Sequence, residues 1–167
     1  VNNGKFKVNF LVPKDIDYNF GKGKLSLYAN SDTTDAAGYT TDIIIGGAKD
    51  TLITDTKGPD VNLFMNDDKF AFGGITDESP KIFCKLYAKN GINTSGNGVG
   101  HDITAILDND TRKVYNLNDF YETSVNDITH GAVLYPLSKL AKGRHTLEVK
   151  AWDVLNNSGV GYTEFLV

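Results

Sequence analysis

One cysteine among 167 residues, Cys84, rules out a framework of intramolecular disulfides. A secreted β module with a large enough core needs none, so the count leaves the compartment open. Positive charge is also scarce, with 17 Lys and Arg against 21 Asp and Glu and a net charge of −4. The basic patch that nucleic acid or an anionic membrane requires is therefore missing. No apolar run is long enough to span a bilayer, and the first residues lack a secretory signal pattern. Because Val1 sits in what reads as the lead-in to a strand, the chain is expected to be a piece of a longer protein. Helical stripes are absent as well, the nearest feature being a short turn over 136–140.

What the sequence does hold is alternation. Apolar residues recur at every second position in Phe6/Val8/Phe10/Val12, Leu25/Leu27/Ala29, Val61/Leu63/Met65, Ile82/Cys84/Leu86/Ala88, Ile103/Ala105/Leu107 and Leu147/Val149/Ala151. This is the period of strands with one buried face, and an apolar content of 40% suffices for a core. Turn clusters at 19–23, 31–35 and 93–100 separate the runs. The class is all-β. The best boundary runs from Gly46-Gly47 to Gly58-Pro59.

The spacing predicts a partial β module over 1–50, the tail of a preceding β domain, with strands at 4–12, 23–30 and 39–46. A linker over 51–60 follows, and then an immunoglobulin-like β-sandwich over 61–167 with about seven strands. A partial module of about three strands cannot close two sheets, so its open edges are expected to pack on the second module or to recruit a second copy. Within the last run, Trp152 is out of phase with Leu147, Val149 and Ala151, so it is expected to face away from their core.

Candidate sites are few. Asp55, Asp60 and Asp153 flank the boundary and the last turn, where carboxylates could share a calcium ion with backbone carbonyls, exposed linker charge being the plainer reading. Asp108-Asn-Asp-Thr111 lacks the spacing of an EF-hand and reads as a hairpin turn. His101 and Asp102 follow a glycine-rich loop and precede a strand, a setting in which they fix the loop by hydrogen bonds. Cys84 alternates with Ile82 and Leu86, which points its thiol into the core and away from a catalytic pairing with His101. His130 and His145 sit in turn contexts without a ligand set, and the glycines of 96–100 open no helix that could cradle phosphate. Tyr115, Phe120, Tyr121 and Tyr135 either line a sugar platform or pack in the sheets.

Several segments share one resemblance: Val12-Pro-Lys-Asp-Ile16, Gly21-Lys-Gly-Lys-Leu25 with Tyr28-Ala29, Gly58-Pro59, Gly91-Ile-Asn93, Gly98-Val-Gly-His-Asp-Ile103, Leu117-Asn-Asp119, and Lys150-Ala-Trp-Asp153 with Asn156-Asn157. Over nearly the whole chain these look like the C-terminal β region of the gingipain-type cysteine peptidase sortase of the type IX secretion system. In that family a caspase-like peptidase domain removes C-terminal sorting signals from secreted cargo and helps attach the cargo to surface lipopolysaccharide. Its catalytic histidine and cysteine lie in that domain, and neither His101 nor Cys84 matches them. The resemblance thus implies a non-catalytic scaffold and docking module, exported to the cell surface or outer membrane of a Gram-negative bacterium, with no cofactor beyond the speculative calcium. Its implied partners are the upstream peptidase domain, secretion subunits or cargo proteins, with self-association through the open edges of 1–50. No nucleic acid or membrane insertion is expected. A surface adhesin or carbohydrate-binding sandwich is the alternative, and it requires an exposed aromatic strip. A free-standing enzyme would instead require His101 beside a nucleophile.

Overall fold

Among the described residues, two antiparallel strands, β1 (Gly21–Asn30) and β2 (Asp35–Ile45), and eight more from Asp60 onward supply most of the regular structure, as the all-β reading expects. The computed structural model describes residues 4–9, 11–47, 54–95 and 100–167. Two compact units emerge, one of Val1–Asp15 with Asp55–Val167 and one of Ile16–Thr54. This division departs from the expected module over 1–50, because the segment that ends at Asp15 packs with the sandwich. The expected strand over 4–12 is not formed by its described residues, while Phe10 lies outside them. Among the described residues of that run Lys5 makes a bridge but no ladder extends from it, and Phe6, Val8, Leu11 and Val12 are all exposed.

The smaller unit is a long hairpin. Its strands pair from Gly21↔Ile45 to Asn30↔Asp35, with a bulge between Gly23 and Leu25, and the tip is tied by the Ser31 N–H donating to the Thr34 carbonyl at 2.8 Å. Neither strand contains a buried residue.

The larger unit is a sandwich of two four-stranded sheets. One contains β3 (Asp60–Met65), β4 (Lys81–Tyr87), β8 (Asp127–Pro136) and β7 (Tyr121–Ser124), in that order. The other contains β10 (Ser158–Leu166), β9 (Arg144–Trp152), β5 (Thr104–Leu107) and β6 (Val114–Asn116). These are the A-B-E-D and G-F-C-C′ orders of an immunoglobulin-like sandwich. The inward residues come from the alternating runs: Leu63 and Met65 on β3, Ile82, Cys84 and Leu86 on β4, Val133 on β8, Leu147, Val149 and Ala151 on β9, and Phe165 on β10. Each fully buried large side chain of this kind contributes about 1.5–3 kcal/mol. The edge of β10 is partly covered, since the Gly73 and Thr76 N–H groups donate to the Glu164 and Leu166 carbonyls at 2.9 and 2.8 Å. Among the described residues no helix is long and apolar enough to cross a membrane.

Candidate functional site

The turn between β9 and β10 organises one end of the sandwich. Asp153 is buried there, and its Oδ1 accepts the N–H groups of Leu155 and Asn157 at 2.9 and 2.8 Å. Its Oδ2 accepts Asn157 Nδ2 at 2.9 Å, while its own N–H donates to the Asn157 carbonyl at 3.0 Å. An acidic side chain that gathers the donors of the following residues stabilises the turn in place of a ladder. Asn156 takes the left-handed conformation that asparagine tolerates, with φ at 67°. The loop after β4 is joined to this turn by an isolated bridge between Ile92 and Asp153, and by the Asn93 N–H donating to the Trp152 carbonyl at 2.8 Å.

Asp15 enters this end from the N-terminal segment, after the Lys14 N–H has donated to the Val154 carbonyl at 2.9 Å. Its carboxylate is only 6% exposed. Oδ2 accepts Asn93 Nδ2 and His101 Nδ1, each at 2.8 Å, and the Asn156 amide is a further donor. Burial alone would push this carboxyl upward, yet the three donors together hold it below its ordinary value. The ionised form is thus the bound one, and the stabilisation it brings is lost only as pH falls through that lowered value. With a carboxylate facing Nδ1, the proton of His101 resides on that nitrogen. The other face of the contact is aromatic: the His101 and Trp152 rings lie 4.4 Å apart, and Lys150 Nζ stands 4.4 Å from the Trp152 ring. Trp152 follows the alternation of its strand onto the face opposite Leu147, Val149 and Ala151, as expected, and it packs on this histidine.

His101 and Asp102 therefore act in different directions. Asp102 Oδ1 accepts Asn118 Nδ2 at 2.7 Å, and Asn118 Oδ1 accepts the Ile103 N–H at 2.8 Å, which fixes the approach to β5 against the 3-10 turn Asn118–Phe120. Of the three carboxylates considered for calcium, Asp55 and Asp153 are linked through Asn157, whose Nδ2 donates to both the Asp55 carbonyl at 3.1 Å and Asp153 Oδ2. Asp60 instead pairs with Lys57 at 2.8 Å in an exposed contact. Among the described residues no group of three or more His, Cys, Asp or Glu side chains could hold a metal ion.

Cys84 is fully buried, and burial pushes its thiol up to about 12. A thiol in that state is neither a ready nucleophile nor accessible. Maleimide or iodoacetamide is expected to leave it unmodified in the folded chain and to label it to completion in denaturant, a difference read directly by mass spectrometry. Tyr135 meets Tyr115 and Phe120 edge to face, with centroids 5.6 and 4.7 Å apart, and Tyr115, Tyr121 and Tyr135 pack against the core.

At the other end of β5, Asp108 and Asn109 form the turn with φ of 54° and 55°. His145 is buried beside it, with Nδ1 2.8 Å from Asp108 Oδ2 and Nε2 2.8 Å from the Ala141 carbonyl. Only the doubly protonated ring satisfies two acceptors. Burial pulls its pKa down, but the Ala141 carbonyl and the Asp108 carboxylate together raise it above the ordinary 6.5. The folded chain keeps this proton to higher pH than the unfolded one. Its stabilisation is complete below about pH 6.5 and is lost as pH rises through the folded value. Asp108→Asn is expected to cost about 1–2 kcal/mol at pH 6 and to flatten the loss of stability between pH 6 and 8, as measured by denaturant titration.

Pattern alone did not reveal Asp15, Asn93 or Asn118. The asparagines signalled turns, and no periodic feature marked Asp15 as buried. Several of the segments that carried the resemblance nevertheless meet here: 12–16, 91–93, the end of 98–103, 150–153 and 156–157.

No family model and no curated protein matches the chain. Among solved structures, dimeric latent PorU from Porphyromonas gingivalis matches it with a TM-score of 0.66 and 34% sequence identity over 95% of this chain. The chain spans 15% of the length of that protein.

Proposed function

We propose, with this chain taken as a PorU-like β region, that it is the non-catalytic C-terminal part of a cell-surface sortase of the type IX secretion system. In this reading a caspase-like cysteine peptidase domain of the same protein does the cutting. The immunoglobulin-like region supports that domain and docks to secretion subunits or to cargo on the outer membrane. The observation that carries most weight is the state of Cys84, since the chain's single thiol lies in the core and is held protonated. The hairpin unit supports docking. Tyr18, Phe20, Tyr28, Tyr39 and Ile44 are all well exposed on it, and its outer edges offer ladder groups to a second copy or another subunit.

Affinity capture from outer-membrane extracts of the source bacterium tests the docking role. The chain with a short glycine-serine bridge in place of Ile16–Thr54 is expected to retain less than a tenth of the secretion subunits or cargo bound by the intact chain. Equal capture by both would overturn the assignment of docking to the hairpin. A glycan-binding surface is favoured by one observation, the exposure of Tyr28 and Tyr39 with Lys24 Nζ 4.9 Å from the Tyr39 ring. A glycan-array signal abolished by Tyr28→Ala and Tyr39→Ala would support that reading over protein docking.

A further inference from the structure

Ile16–Thr54 is a compact unit whose two strands bury none of their residues. A lone two-stranded hairpin is marginal in water, because its ladder hardly offsets the entropy lost in bringing the strands together. Its stability then depends on what closes its base. The chain leaves the sandwich unit at Asp15, held by Asn93, His101 and Asn156. It returns at Asp55, whose Oδ2 accepts Asn90 Nδ2 at 2.8 Å and whose carbonyl accepts Asn157 Nδ2 at 3.1 Å.

The donors come in two pairs from two loops. Asn90 and Asn93 follow β4, and Asn156 and Asn157 follow β9; in each pair one member holds the departing end and the other holds the returning end. We infer that these two asparagine pairs form a double clamp that closes the base of the Ile16–Thr54 excursion and thereby keeps the β1–β2 hairpin folded. Holding both ends at one place removes loop-closure entropy before the first ladder bond forms and raises the effective concentration of one strand for the other. The left-handed φ of Asn156 fits this role, since it lets two successive side chains reach separate targets. Asn156 Oδ1 is buried without a partner, consistent with a residue kept for its donor. The clamp is independent of any docking role.

Hydrogen exchange on the full chain tests this coupling. Asn156→Gly tolerates the left-handed backbone and deletes only the donor to Asp15, while Asn90→Ala deletes a donor to Asp55. Each variant is expected to raise exchange of the β1 and β2 amides at least tenfold and to leave β4 and β9 protected as before. The double variant is expected to gain little over either single one, because one open end already frees the base. Unchanged protection in β1 and β2 would overturn the inference, and so would exchange that rises equally in β9.

Discussion

Asp153→Ala is expected to lower stability by about 3–4 kcal/mol, since it strands several buried donors at once. The carboxylate accepts the Leu155 N–H, the Asn157 N–H and Asn157 Nδ2, and it is 1% exposed, so water does not replace it. Each buried donor left without a partner costs about 1–3 kcal/mol. The damage also travels, because Asn157 loses the contact that orients its amide toward Asp55. Asp153→Asn keeps one acceptor oxygen but turns an amide NH2 toward Asn157 Nδ2, and a smaller loss of about 1–2 kcal/mol is expected. Guanidinium denaturation at pH 7 checks both, and a near-neutral alanine variant would show that the turn is held by its backbone alone.

Gly159→Ala is expected to cost at least about 3 kcal/mol, the upper range for overpacking against atoms that cannot move aside. A Cβ on Gly159 would be driven into the Pro59 carbonyl, and one on Gly58 would meet the Ser158 carbonyl. At Gly161 the Val61 oxygen would stand 2.6 Å from an added Cβ. β3 and β10 come from different sheets and approach backbone to backbone here, so relief would require the two sheets to part. Gly38 supplies the contrast, since nothing lies within 4 Å of its virtual Cβ. Gly38→Ala is expected to stay within about 0.5 kcal/mol of the parent. In a chain of this size the difference corresponds to a fall in Tm of roughly 6–12 °C for the Gly159 variant. Thermal unfolding followed by circular dichroism distinguishes the two.

The sandwich was legible because its information is local. On β9, one glance at Leu147, Val149 and Ala151 against Thr146, Glu148 and Lys150 gives both the strand and its buried face, and burial alternates through that strand accordingly. The same alternation misled at 4–12, where period two implies a strand only if another strand is present to pair with it. The candidate site was less legible for a different reason. Asn93 reaches Asp15 across 78 residues of sequence and His101 across 86, and no period or turn rule relates positions so far apart. Asn156 and Asn157 read correctly as a turn, but their targets were set by the fold. Asp153 carried a similar ambiguity: a carboxylate near a sandwich end suits a cation or a turn, and its three N–H donors come from its own turn.

The central claim is that this region supports and docks while the chemistry lies elsewhere in the protein. Its most direct test is the full-length protein with Ile16–Thr54 replaced by a short bridge, assayed in parallel for cleavage of a soluble sorting-signal peptide and for attachment of cargo at the cell surface. The account predicts kcat/KM for the peptide within about twofold of the parent, well under the tenfold that about 1.4 kcal/mol of lost transition-state binding would produce, together with loss of attachment. Loss of peptide cleavage with the peptidase domain still folded would contradict it.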